Sequence, residues 1–228
     1  YLGIVGPNGA GKTSILKCIA GIHDFKGNIS INGSDLQLIS AIDRAKQIAY
    51  VPQAGGRTAP FSCRELVQMS RYPHKAMLSR LSQKDNKIVD EKMELTGVAE
   101  FSNRPINTLS GGERQKVFLA AALAQEADIL LLDEPTTFLD PLHKHEVRQL
   151  LKKINQMGTT LIEVTHDLND VALVADKIFG ISKSKTAFFG SPKMLMTDAG
   201  LEKLYGHKFI LTPHPENGMP MILPEGEL

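Results

Sequence analysis

The chain has almost no charge bias. Its 228 residues carry 26 Lys plus Arg against 25 Asp plus Glu. That excludes the basic excess that holds a protein on nucleic acid, and it requires any partner to be recognised locally. Cysteine is nearly absent. Cys18 and Cys63 stand far apart, in no CxxC or Cys/His spacing, which excludes a disulfide framework or thiolate metal site and fits a reducing, cytoplasmic setting. No apolar run approaches the roughly eighteen residues of a spanning helix, and no secretory leader is recognisable. Internal repeats, long heptad runs and low-complexity segments are missing too. There is also no initiating Met: Tyr1 leads straight into YLGIV, which reads as a buried strand, so the native N-terminus, with one or two strands, is expected to precede it.

A chain of this length buries a large core without disulfides or metal, and the prior is one α/β domain with an inserted subdomain. Short apolar runs alternate with helical patterns, the signature of a mostly parallel sheet covered by helices. Strands are expected near Leu2 to Val5, Asn28 to Ile31, Gln47 to Val51, Ile129 to Leu132, Thr160 to Val164, Lys177 to Ile181 and Thr186 to Phe189. ILLLD is apolar throughout, as a central strand covered on both sides should be. Between Phe61 and Ala127 the pattern is helical only, which marks residues 61–127 as a helical insert. Helix Pro141 to Met157 places Val147, Leu150, Leu151 and Ile154 on one face, and helix Asp167 to Ala175 does the same with Leu168, Val171, Ala172 and Ala175. Residues 206–228 have scattered prolines and no long period, and read as a loosely packed C-terminal extension.

Chemistry gathers at a few points. GPNGAGKT, Gly6 to Thr13, follows the first strand and opens a helix. It fits GxxxxGK[ST], in which backbone N–H groups wrap phosphates, the lysine neutralises charge and the hydroxyl ligates magnesium. Asp133 ends the buried strand ILLLD, where an acidic residue would meet a phosphate loop and hold Mg2+ through water, and Glu134 lies one residue beyond, placed to polarise an attacking water. His166 ends the strand of LIEVTHD on the same kind of sheet edge, and Asp167 can cap the helix that follows. Gln53 in YVPQ occupies the equivalent place after its own strand, where its amide could contact metal or water; the residue alone leaves that open. His143 and His145 are two apart on a helix and so a poor metal pair. LSGGERQ, Leu109 to Gln115, has two readings. Ser110 and Glu113 fit a capping box, while Gly111 and Gly112 would let an anion approach the helix start.

Taken in order, these motifs resemble an ATP-binding cassette, the ATPase subunit of ABC transporters: phosphate loop, Q-loop Gln53, signature Leu109 to Gln115, acidic strand end, D-loop Asp140 and switch histidine His166. The match covers nearly the whole chain. The resemblance implies an α/β P-loop NTPase fold, one ABC ATPase domain over 1–228, with ATP and Mg2+ as cofactors. It implies that the loop Gly6, Pro7, Asn8, Gly9, Ala10, Gly11, Lys12, Thr13 and Ser14 binds nucleotide, with Lys12 on the β- and γ-phosphates. Thr13, Gln53 and Asp133 would serve Mg2+, Glu134 would be the general base, and His166 a γ-phosphate contact. It also implies a head-to-tail dimer of two cassettes, in which Ser110, Gly111 and Gly112 touch the other subunit's γ-phosphate. The working dimer is expected to pair two copies of this chain. The chain departs from the family at two places: the adenine-stacking aromatic usual upstream of the loop is absent, Tyr1 being too close to replace it, and Thr137 stands where serine is usual.

FSCRELVQMSRYPH, LTGVAEFSNRPINTLSGGERQ, THDLND and GSPKMLMTDAGLEKLYG are similar to the iron-chelate uptake branch, which imports ferric siderophores, haem or cobalamin. That implies transmembrane permease subunits, indirectly a substrate-binding protein, no nucleic acid, and a peripheral location on the cytoplasmic side of the membrane. Zinc and manganese importers are the alternative. A soluble cassette acting on DNA, translation or chromosomes would carry tandem cassettes or long heptads, and a P-loop small-molecule kinase has no use for LSGGERQ.

Overall fold

The computed structural model describes residues 1–53, 60–75 and 79–223; residues 76–78 of the expected helical insert and 224–228 of the expected extension lie outside the described residues. In chain order the elements are β1 (Leu2–Val5), α1 (Lys12–Ile19), β2 (Ser30–Ile31), β3 (Ser34–Asp35), α2 (Ala41–Gln47), β4 (Ile48–Val51), α3 (Cys63–Met69), α4 (Gln83–Leu95), α5 (Gly111–Ala124), β5 (Ile129–Asp133), α6 (Pro141–Gln156), β6 (Thr160–Val164), α7 (Leu168–Val174), β7 (Lys177–Ser182), β8 (Lys185–Gly190), α8 (Pro192–Leu195), α9 (Asp198–Tyr205), β9 (Ile210–Pro213) and β10 (Pro220–Leu223). They fall into two compact units, one of Tyr1–Lys17 with Leu161–Leu228, the other Cys18–Thr160.

In the first unit β1 is paired on both sides, in parallel with β6 and with β7, and β8 runs antiparallel along β7. Ile4 and Val5 are at most 1% exposed, because a strand with two partners and two covered faces has no solvent side. Val5, Leu168, Val171, Ile178, Leu195, Leu201 and Leu204 form the core of this unit, and Phe209, Leu211 and Ile222 pack against it. The expected C-terminal extension has regular structure: β9 and β10 form an antiparallel hairpin, Ile210 opposite Leu223 and Pro213 opposite Pro220. Its strands are too short to show a period, and its side chains are half-buried or exposed.

In the second unit β4 and β5 are parallel, Ile48 opposite Ile129 and Val51 opposite Leu132. Leu130, Leu131 and Leu132 are 2% exposed or less, as their unbroken apolar run requires. The strand expected over Asn28 to Ile31 shrinks to Ser30–Ile31, since Asn32 (φ 51°) and Gly33 (φ 80°) turn the chain straight into β3; Asn-Gly is the sequence signal of such a two-residue turn. Gln47 belongs to α2, capped by Ser40, instead of opening β4. On α6, Val147, Leu151 and Ile154 are the buried face.

Within the expected insert, α3, α4 and α5 share a core of Cys63, Val67, Ile88, Val89, Met93, Val117, Ala120 and Ala124. Each begins with a reciprocal capping box: Ser62 with Glu65, Ser82 with Asp85, Ser110 with Glu113. The buried cation Arg71, 3% exposed, draws the three helices together. Its guanidinium donates to Asp85 (3.0 Å), to the Ala124 carbonyl at the end of α5 (2.6 Å) and to Glu126 (2.8 Å). Removing one side of such a pair strands the other in low dielectric. Arg71→Met should therefore lower unfolding free energy by about 3–5 kcal/mol in urea titration; an unchanged midpoint would show that the cluster is dispensable.

The capping carboxylates titrate together. Glu65, Asp85 and Glu113 are held below the ordinary carboxylate range, chiefly by the backbone N–H of Ser62, the hydroxyl of Ser82 and the backbone N–H of Ser110 respectively. A lowered folded-state value adds stability above the unfolded value, near pH 4, and that stability is lost as pH falls through the lowered values. The urea midpoint is expected to drop below about pH 4, and Ser82→Ala, which removes the hydroxyl that chiefly holds Asp85 down, should flatten that drop.

Candidate functional site

The first unit supplies a phosphate cradle. Gly6 follows β1 with φ 148°, and a Cβ there would lie 2.0 Å from the Ile181 carbonyl oxygen, so the loop leaves the sheet by a route that only glycine permits. The chain then closes on itself, Ala10 N–H to Pro7 O (3.2 Å) and Ile15 N–H to Gly11 O (3.0 Å). Lys12 is 6% exposed, and its ammonium donates to Gly6 O (2.8 Å) and Pro7 O (3.0 Å). It thus spans the loop that it would share with a phosphate. No acidic residue occupies the first turn of α1, so nothing there competes with an anion for the N–H groups.

His166 lies in the same unit. β1 and β6 pair with Ile4 opposite Val164, so two residues further on Gly6 and His166 leave neighbouring strand ends together. His166 is exposed. It is bracketed by anchored residues: Thr165 N–H reaches Ile4 O (3.2 Å), Asp167 N–H reaches Thr165 Oγ1 (3.0 Å), and Asp167 caps α7 by accepting from Asp170 N–H (3.0 Å). Tyr1 is engaged elsewhere, its hydroxyl donating to buried Glu163.

The second unit supplies the acidic group. Val51 faces Leu132 in the β4–β5 register, so Gln53 and Glu134, two residues beyond each, emerge side by side. The Gln53 amide indeed donates to Glu134 Oε2 at 2.9 Å, and Thr137 Oγ1 donates to the same oxygen at 2.9 Å. Glu134 itself holds a left-handed φ of 49°, a conformation that is uncommon outside glycine and concentrates at functional sites. Asp133 is 4% exposed and accepts from the Tyr50 hydroxyl at 3.0 Å. Burial beside Asp133 pushes the Tyr50 phenol up, which keeps it a donor. Tyr50 was not among the sequence candidates, although its place in YVPQ, three residues before Gln53, puts it on the strand that neighbours ILLLD.

The signature stretch lies at the head of α5. Ser110 N–H reaches Glu113 Oε2 (2.8 Å) and Glu113 N–H reaches Ser110 Oγ (3.3 Å), so the capping reading holds. The two glycines differ. A Cβ on Gly111 would meet Leu139 Cδ2 at 3.7 Å and Phe138 O at 4.0 Å, both ordinary contacts, whereas on Gly112 it would lie 2.4 Å from His143 Cδ2. Gly112 thus has a reason inside the chain, the close passage of α6. Asp140 caps α6, its carboxylate held low chiefly by the His143 N–H.

These features agree with the comparisons. The family model for ABC transporters matches residues 1–137. The chain is 37% identical over 222 residues to the iron(3+)-hydroxamate import ATP-binding protein FhuC of Bacillus subtilis, covering 96% of this chain and 82% of that one. It is 33% identical over 228 residues to the ferric enterobactin transport ATP-binding protein FepC of Escherichia coli, covering 99% and 84%. A solved chain described as a metal-chelate type ABC transporter in an inward-facing conformation superposes with a TM-score of 0.84 at 26% identity, over 99% of this chain and 86% of that one. A dimeric ATP-binding cassette bound to ADP and Pi gives 0.74 at 26%, over 84% and 85%. The chain belongs to the ABC transporter family, as its ATP-binding, ATP-hydrolysing subunit.

The arrangement makes Glu134 the candidate base, a carboxylate oriented by Gln53 and Thr137. Glu134→Gln should cut ATP turnover by about 10²-fold or more while leaving ATP-dependent dimerisation detectable by gel filtration; turnover near wild type would remove Glu134 from that role.

Proposed function

We propose that this chain powers uptake of an iron chelate, a ferric siderophore or haem, or of cobalamin, through a membrane permease. One observation carries the cargo class: relatives covering nearly the whole chain are named for hydroxamate, enterobactin, petrobactin and hemin import. None of the described helices is long and apolar enough to cross a membrane, so the permease would be a separate subunit and this chain a peripheral one on the cytoplasmic side. An apolar group on the second unit, Phe61, Met69 and Tyr72, is 40–62% exposed. Such a patch marks a partner surface, and it supports docking of the permease there.

In this reading Lys12 transfers its hydrogen bonds from Gly6 O and Pro7 O to the β- and γ-phosphates, and the remaining N–H groups of Gly6 to Ser14 close round them. Thr13, Gln53 and Asp133 offer a hydroxyl, an amide and a carboxylate, all hard oxygen donors of the kind Mg2+ takes. The ion, when bound, would neutralise charge developing on the transferred phosphoryl group. Gln53, which donates to Glu134 Oε2, would link the residues that hold the ion to the carboxylate that orients water. His166 contacts the γ-phosphate. Two copies of the chain pair head to tail, each presenting Ser110, Gly111 and Gly112 to the other's nucleotide.

The test is ATPase activity of the cassette assembled with its permease, with binding protein loaded in turn with ferric siderophore, haem, cobalamin, zinc or manganese. Stimulation of several-fold by an iron chelate, haem or cobalamin is expected. A response to zinc or manganese alone would move the chain to a divalent-metal importer. Tyr72→Asp should weaken assembly with the permease and leave turnover by the isolated chain unchanged.

A further inference from the structure

The C-terminal hairpin is fastened to the segment that carries His166. Asn169, in the first turn of α7, donates from Nδ2 to Ile222 O (2.9 Å) and accepts at Oδ1 from Ile222 N–H (2.8 Å). A side-chain amide offers the same donor and acceptor as a peptide group, so Asn169 completes the outer edge of β10 as another strand would. β10 is paired with β9 on its other side. The clamp therefore ties α7 to a two-stranded element, not to a single mobile chain.

Beside the clamp lies a pocket of about 450 Å³, walled by His166, Asn169, Tyr205, Phe209 and Ile222 among others. Tyr205 and Phe209 meet edge to face, with centroids 5.7 Å apart at 81°. The Tyr205 phenol is pushed up to about 12 by burial, opposed by its hydrogen bond with the Gly6 backbone. Tyr205, at the end of α9, thus reaches Gly6 after β1, and the hairpin shares a pocket wall with His166 after β6.

The geometry points to Asn169 as a positioning residue for His166, with the β9–β10 hairpin as the strut against which it acts. On its N-terminal side His166 is fixed by strand pairing through Thr165. On its C-terminal side the chain enters α7, seven residues long and held to the core through Leu168, Val171 and Ala172. Apolar packing is non-directional; the two bonds to Ile222 add a directional anchor to the first turn. The inference rests on the reading of His166 as a γ-phosphate contact.

The experiment uses the full chain with Asn169→Leu, which keeps the side-chain size and removes both bonds, with Asn169→Asp, which removes only the donor, and with His166→Ala as reference. Steady-state ATP hydrolysis and amide hydrogen exchange are measured on each. Asn169→Leu is expected to lower kcat by roughly five- to tenfold, as for two ordinary hydrogen bonds lost, with KM for ATP within about twofold of wild type. Exchange should quicken in residues 165–170 and 220–223 but not in α5. Asn169→Asp, which sets an acceptor oxygen against the Ile222 carbonyl, should show a loss in the same direction, and it decides the matter if the leucine variant does not fold. Unchanged kcat despite faster exchange in 165–170 would overturn the positioning role. Unchanged exchange would overturn the strut itself. If His166→Ala turns over ATP like wild type, it is the reading of His166 that fails, while faster exchange at 165–170 would still establish the strut.

Discussion

Strand β1 is four residues long and hydrogen-bonded along both edges. The candidate phosphate loop of the first unit begins where that pairing ends. Because β6 and β7 run parallel to it, all three strands release their chains at one end, and the loop from Gly6 and the turn at His166 start from adjacent, fixed positions. The close approach of Gly6 to the Ile181 carbonyl shows how tightly the departure is set. The backbone is committed to its curve before any ligand arrives, which is the condition for a loop of N–H groups to hold an anion without reorganising.

The second unit reaches the same end by another parallel pair. β4 and β5 bring Gln53, Asp133 and Glu134 together by register alone, and short polar side chains then fix them, Tyr50 on Asp133 and Thr137 on Glu134. Both bonds come from neutral hydroxyls, which orient the two carboxylates.

How much of this the sequence discloses follows from the range of the interactions. The phosphate loop, ILLLD and the α6 face are legible because each is a local pattern: glycine spacing, continuous apolarity, a 3.6-residue period. Gln53 is half legible. Its position after a strand is local, but its bond to Glu134 joins residues 81 apart. Tyr50 with Asp133, Arg71 with Ala124, and Asn169 with Ile222 are pairings of 83, 53 and 53 residues' separation, and no window of sequence contains both members. The hairpin is illegible for the same reason. Its strands are four-residue runs, and Phe209, Leu211 and Ile222 are only partly buried against a core assembled from β1, β7 and helices α7 to α9.

The contact between Gly112 and His143 carries a consequence for how the family can vary. The absent side chain at position 112 and the imidazole at position 143 compete for one volume, since a methyl group at 112 would sit within 2.8 Å of three atoms of that ring. The two sites are therefore linked by exclusion: a chain in which 143 shrank to serine or alanine would no longer need glycine at 112 for its own packing. If glycine persists at 112 in relatives with a small residue at 143, the pressure on it comes from outside the chain, and natural variation at this one pair of positions separates the demands of folding from those of a partner.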